Sequence, residues 1–255
     1  MKQVSTREFF TFFGQRLANL RELDTRNPAV KIHPAASFNP ELNILVSAQI
    51  DALAKYWALN SGRHFANSES RFGEFLAAHA GEPWAKCSHQ NLLARAGAEA
   101  AGHKPRRDRP GGPARQLKEL HSILHKLLAP VVWVPAGVLP WTQDPSLQVL
   151  LDDPDIRAAG IPGSWLQRSR YGEFLYRHYR SGWLHALDPD PELGNGYACS
   201  SSPHYVEDIH GSRTLVIPTG FIVESFESAM ESFKRELEEK SDSHNPTLRA
   251  LMILG

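Results

Sequence analysis

The stretch Lys104-Pro105-Arg106-Arg107-Asp108-Arg109-Pro110-Gly111-Gly112 cannot continue a helix, and it interrupts a chain whose other local signals are almost all helical. Before it, Ser5-Thr6-Arg7-Glu8 has the form of a capping box, and Phe9, Phe13, Leu17 and Leu20 follow on one helical face. A second helix is predicted from Asn39-Pro40 to about Leu59, a third from Ser68 to about Ala80, and a fourth from Gln90 to Ala101. Beyond it, Gln116 to Leu128 is helical in pattern, and Ile222, Phe226, Ala229, Phe233 and Leu237 mark an amphipathic helix with an acidic outer face. Pro130 to Pro162 is punctuated by proline and is expected to wrap the surface in short helical turns. Tyr205-Val206-Glu207 and Thr214-Leu215-Val216-Ile217, joined through His210-Gly211, read as a hairpin. No βαβ alternation and no repeat of fixed period is visible, so a parallel α/β fold is not expected. The expected fold is mainly α: a helical bundle in a single domain over residues 1–255, with a small β-hairpin and an irregular basic and proline-rich insertion at about 102–163.

Charge narrows the partners. Lysine plus arginine and aspartate plus glutamate both number 28, so no global field holds the chain on a polyanion and any such contact must come from a local patch. Lys104, Arg106, Arg107, Arg109 and Arg115 are the densest one, and proline and glycine keep it extended. The two cysteines, Cys87 and Cys199, lie far apart in unrelated segments, which argues against a disulfide framework and for a reducing, cytoplasmic setting. The opening Met-Lys-Gln-Val-Ser-Thr-Arg-Glu does not read as a signal peptide, and the apolar run Leu127 to Leu139 contains Pro130 and Pro135 and is too short to span a bilayer. No membrane association is expected.

Most catalytic patterns are missing. Neither a Walker loop nor a dinucleotide-binding glycine pattern occurs. His121 and His125 have zinc-ligand spacing, but Ser122 stands where a metalloprotease has glutamate and no further ligands are evident, so no metal or cofactor is expected. Cys199-Ser200-Ser201-Ser202 with His204 lacks a nucleophile-elbow frame and reads as a loop.

One segment remains. Ser164-Trp165-Leu166-Gln167, after Ile161-Pro162-Gly163, resembles a capping box and predicts a helix from about 165 to 187. Tyr171, Leu175, Tyr179, Trp183 and Leu187 form its apolar stripe, while Glu173, Arg177, Ser181 and His185 project from the other side. Arg180 and His185 are then separated by about 140° and about 7.5 Å along the axis, a gap that an arginine side chain spans. A guanidinium matches phosphate oxygens bidentately and an imidazole titrates near neutrality, so together they suit proton transfer beside a phosphate. Asp51, on the apolar second helix, needs a partner, for which Arg180, Arg177 and His185 are candidates; it either orients the catalytic cation or forms a helix-to-helix ion pair.

Arg180, four intervening residues and His185, at the end of a Tyr- and Arg-rich helix, resemble the Arg-x4-6-His signature of the HEPN superfamily. Ile50-Asp51-Ala52-Leu53-Ala54-Lys55-Tyr56-Trp57 and Arg71-Phe72-Gly73-Glu74-Phe75-Leu76 are similar to the helix pair that precedes that signature. The resemblance implies a metal-independent endoribonuclease of toxin or antiviral-defence type, with Arg180, His185 and Asp51 catalytic. Arg177 and Ser181 would bind substrate, assisted by Arg106, Arg107 and Arg109 of the basic patch. It also implies single-stranded RNA as substrate, a homodimer, and an antitoxin or neighbouring defence protein as partner. The alternative is a non-catalytic HEPN-like helical module that binds RNA or protein.

Overall fold

A computed structural model describes residues 2–25, 40–100, 118–119, 121–124, 126, 138–178, 202–207, 213–240 and 247–250. In chain order the elements are β1 (Lys2–Ser5), α1 (Thr6–Thr25), α2 (Pro40–Ser61), α3 (Ser68–His79), a 3-10 turn (Glu82–Ala85) and α4 (His89–Ala100). Then come β2 (Val138–Pro140), a second 3-10 turn (Trp141–Gln143), α5 (Leu147–Asp152), α6 (Pro154–Ala158), α7 (Gly163–Gln167) and α8 (Tyr171–Leu175). The last elements are β3 (His204–Glu207), β4 (Arg213–Val216), α9 (Thr219–Glu239) and β5 (Thr247–Ala250). The fold is mainly helical, with two small antiparallel sheets.

Local chemistry starts the first helices. Ser5 and Glu8 form the expected capping box: the Glu8 amide donates to Ser5 Oγ at 3.2 Å and the Ser5 amide to Glu8 Oε2 at 3.3 Å. Asn67 caps α3 by accepting from the Ser70 amide at 2.8 Å. Helices α1, α2, α3 and α9 then bury one aromatic-rich core. Phe9 meets Tyr56 with ring centroids 4.7 Å apart, Trp57 meets Phe75 at 5.7 Å, and Phe233 packs on both Phe10 and Phe75. Such offset or edge contacts add to the hydrophobic term itself. Trp84 joins them, its indole N–H donating to Ser225 Oγ at 2.9 Å. Helix α2 is not buried all round, since Leu45 and Leu59 are exposed.

The expected hairpin is present as β3 and β4, paired antiparallel from His204↔Val216 to Glu207↔Arg213, and β2 adds a third strand through Val138↔Val206. A second sheet pairs β1 with β5, Lys2 opposite Ala250. Two expectations need correction. Residues 138–162 do not merely wrap the surface, because Leu150, Ile156 and Ala159 are buried with Cys87, Leu92, Ala96, Ile123, Leu124, Trp165 and Leu166 in a second apolar cluster. The helix expected from about 165 is broken. It comprises α7, whose N-cap is Pro162 with no side-chain cap, and α8, separated at 168–170. There the chain pairs laterally instead: the Ser88 amide donates to the Ser169 carbonyl at 2.8 Å and the Tyr171 amide to the Lys86 carbonyl at 2.9 Å, and Cys87 bridges Arg170. These tertiary bonds take the groups a continuous helix would have used.

The sequence also carries a repeat with no fixed period. Ser70-Arg71-Phe72-Gly73-Glu74-Phe75-Leu76-Ala77-Ala78-His79 recurs as Ser169-Arg170-Tyr171-Gly172-Glu173-Phe174-Leu175-Tyr176-Arg177-His178, and the two copies pack on each other at their equivalent glycines. A Cβ on Gly172 would lie 2.7 Å from Gly73 Cα, so the backbones touch where any side chain would separate them. Gly172→Ala is expected to destabilise the fold by about 1–3 kcal/mol through overpacking. The control is Gly14→Ala in α1, where a Cβ meets nothing within 4 Å and alanine should stabilise slightly. Equal melting temperatures for the two variants would refute the close contact.

Candidate functional site

Glycine contact lets α8 lie on α3 closely enough for a charged side chain to be enclosed between them. Glu173, expected on a polar face, is buried, with 1% of its surface exposed. Arg170 Nε donates to Glu173 Oε2 at 2.7 Å, a second guanidinium nitrogen donates to Oε1, and Gln167 Nε2 donates to Oε1 at 3.1 Å. Arg170 is shared, because its Nη1 also donates to Glu74 of α3 at 3.1 Å. Burial pushes the Glu173 carboxyl up to about 7 against the opposing pull of Arg170, whose charge two carboxylates divide.

The next turn continues along α3. Residues 176–178 wind in a wider π-type turn, a local form common near functional positions. Arg177, expected to meet a phosphate, pairs with Glu69 at 3.0 Å, donates to the Arg168 carbonyl and lies over the Phe174 ring. A phosphate there has to compete with that carboxylate. His178 is buried against Phe174 with centroids 4.1 Å apart, and its counterpart His79 packs likewise, tilted, against Phe75 at 5.0 Å. His79 also ties α3 to α9: Nδ1 lies 3.0 Å from Ser232 Oγ and Nε2 3.2 Å from Glu236, while burial lowers its pKa.

Asp51 accepts from Arg71 Nη2 at 2.8 Å, an ion pair joining α2 to α3 with both side chains mostly buried. Arg71 was not among the partners expected for it, and Arg177, which was, lies on Glu69. Arg180, Ser181, His185, Arg106, Arg107 and Arg109 lie outside the described residues.

The structure assembles a second polar group that no spacing in the chain announces. Asp144, in the turn after β2, accepts from His89 Nδ1 through Oδ1 and from the hydroxyls of Tyr171 and Tyr205, both at 2.5 Å, through Oδ2. The Tyr205 hydroxyl also lies 2.9 Å from Ser88 Oγ, and His89 Nε2 lies 2.9 Å from the Gln90 amide nitrogen. Ser88, His89, Asp144, Tyr171 and Tyr205 are essentially inaccessible, while Gln90 at the edge is half-buried. Burial holds both tyrosine hydroxyls protonated far above the ordinary range, so they act as donors to the carboxylate. The network fastens the start of α8, the start of α4 and β3 to the insertion. It is closed to solvent, and neighbouring Cys87, whose thiol burial also raises, is no accessible nucleophile.

His204 sits in β3 with Nδ1 2.8 Å from the Ser202 carbonyl, rather than in a loop. Among the described residues no helix is long and apolar enough to cross a membrane. The chain matches no protein-family model, no curated protein and no solved structure.

Proposed function

We propose that this chain is a metal-independent endoribonuclease of HEPN type that cleaves single-stranded RNA as a homodimer, in a toxin or antiviral-defence role. The observation that carries this reading is Arg180 followed by His185 five residues later, directly after the α8 segment that is fastened to α3. The Asp51–Arg71 pair between α2 and α3 supports it by supplying a charged, mostly buried contact within the helix pair that the resemblance requires.

The chemistry needs a base, an acid and a cation. His185 as base takes the proton of a ribose 2′-hydroxyl, whose oxygen attacks the adjacent phosphorus; the bond to the 5′-oxygen breaks, and an imidazolium returns a proton to that leaving oxygen. The products are a 2′,3′-cyclic phosphate and a free 5′-hydroxyl. Arg180 stabilises the charge that develops on the phosphate oxygens. One protomer contributes one His185, so two copies about a two-fold axis supply both base and acid. Asp51 acts through Arg71 on the helix pair, and Ser181 and the Arg106, Arg107 and Arg109 patch add substrate contacts, the last of them salt-sensitive.

Purified protein is expected to cleave single-stranded RNA in excess chelator and to leave 2′,3′-cyclic phosphate ends, read by end-group analysis. Cleavage that disappears with chelator and returns with a divalent ion would overturn the metal-free mechanism. Tight RNA binding with no cleavage would select the non-catalytic module instead.

A further inference from the structure

We propose that Glu173 is a positioning residue: clamped by Arg170 and Gln167 and seated against Gly73, it fixes the segment 171–178 on α3 and so sets the stem from which Arg180 and His185 follow in sequence. The catalytic part of this inference rests on the ribonuclease reading above; the clamp itself does not.

The duplication makes the clamp recognisable. In the first copy the arginine, Arg71, reaches across to Asp51, which frees Glu74 to attract the arginine of the second copy. Arg170 thus answers both glutamates of the repeat, one from its own helix and one from the helix it lies on. Gly73 is what admits the arrangement, since a Cβ there would sit 2.1 Å from Glu173 Oε2. The carboxylate therefore occupies the space a side chain on α3 would fill, and sliding or rotating α8 would drive it into the α3 backbone. Its isologue Glu74 has no such seat and is partly exposed, with 37% of its side-chain surface accessible.

The clamp has a charge state. The groups facing Glu173 are Arg170 on its own element, Glu74 of α3 behind that arginine, and the Cys87 thiol on the segment preceding α4. Burial raises the Glu173 carboxyl to about 7, so the native clamp favours the neutral acid, and the stability this gives at low pH is lost as pH rises through about 7 and Glu173 ionises beside Arg170. Glu173→Gln copies the neutral form at every pH.

The test compares wild type, E173Q and E74Q by hydrogen exchange and by steady-state cleavage of a short single-stranded RNA in chelator, at pH 5.5 and 8. At pH 8 E173Q, which keeps the neutral form that burial favours, is expected to lower amide exchange in 171–178 about tenfold relative to wild type with α9 unchanged, and to raise kcat with KM within twofold. Both differences should shrink at pH 5.5. E74Q alters a partly exposed group, leaves Arg170 to Glu173 alone, and should move the pH at which the E173Q difference appears downward. Unchanged or faster exchange in 171–178 of E173Q at pH 8, or a change of equal size in α9, would overturn the clamp. A change in KM and kcat that is the same at both pH values would make Glu173 merely structural. Wild-type protein that cleaves no RNA at either pH would overturn the ribonuclease reading and the catalytic consequence, while the exchange arm still decides the clamp.

Discussion

His185→Ala is expected to lower chelator-resistant RNA cleavage by about 10²–10⁴-fold, the usual contribution of a positioned general acid or base. Because the reaction asks one imidazole to accept a proton and another to donate one, a protein retaining one competent His185 per dimer should still be severely impaired. Mixed dimers of Arg180→Ala and His185→Ala chains, which also hold a single His185, should therefore regain no more than a small part of the activity even where the arginine of one copy serves the histidine of the other. The melting temperature should move by no more than about 2 °C, an amount corresponding to about 0.5–1 kcal/mol for a chain of this size. Parallel loss of melting temperature and cleavage would mark His185 as a folding determinant, and undiminished cleavage would remove it from the mechanism.

Asp144→Ala is expected to be among the most destabilising single changes in the chain. The carboxylate accepts from His89, Tyr171 and Tyr205 in a buried site, and its removal takes this acceptor from His89 and Tyr171, while the Tyr205 hydroxyl keeps Ser88 Oγ at 2.9 Å. At roughly 1–3 kcal/mol for each of these two groups, the loss reaches about 2–6 kcal/mol, a large share of the 5–15 kcal/mol that typically separates folded from unfolded domains. Tyr205→Phe removes one donor together with its share of the network and should cost about 1 kcal/mol. Urea unfolding of the two variants beside wild type measures both. A midpoint for Asp144→Ala within error of wild type would mean that the network contributes no net stability.

Elements governed by nearest neighbours were readable in the chain. The Ser5–Glu8 capping box, the bounds of α2 and α3, the apolar stripe of α9 and the β3–β4 hairpin all follow from spacing within a few residues, and each lies where that spacing puts it. The break at 168–170 was not readable, because Arg168-Ser169-Arg170 contains neither proline nor glycine and stops being helical only when Lys86 and Ser88 offer it hydrogen bonds. Glu173 was misassigned to a polar face for a related reason: its burial depends on the absence of a side chain at Gly73, a residue of another helix. The duplicated Ser-Arg-aromatic-Gly-Glu-Phe-Leu motif did hold that information, and comparing the chain with itself without demanding a fixed period reveals it. His89 and Asp144, 55 residues apart, obey no motif, and only the fold brings them together.

The Asp144 network has a consequence for the order of assembly. Its members come from positions as distant as Ser88 and Tyr205, which are 117 residues apart, so it closes only once long-range contacts have formed. A partly assembled chain that has paired α3 with α8 and formed the β3–β4 hairpin, but has not yet docked residues 138–162, must keep two phenols and an imidazole hydrated. Water can leave that junction only when the insertion arrives. The proline-punctuated segment is thus no appendage that can be pruned from an otherwise finished bundle; a shortened chain lacking it would retain the helices and end with a wet seam at the root of α8.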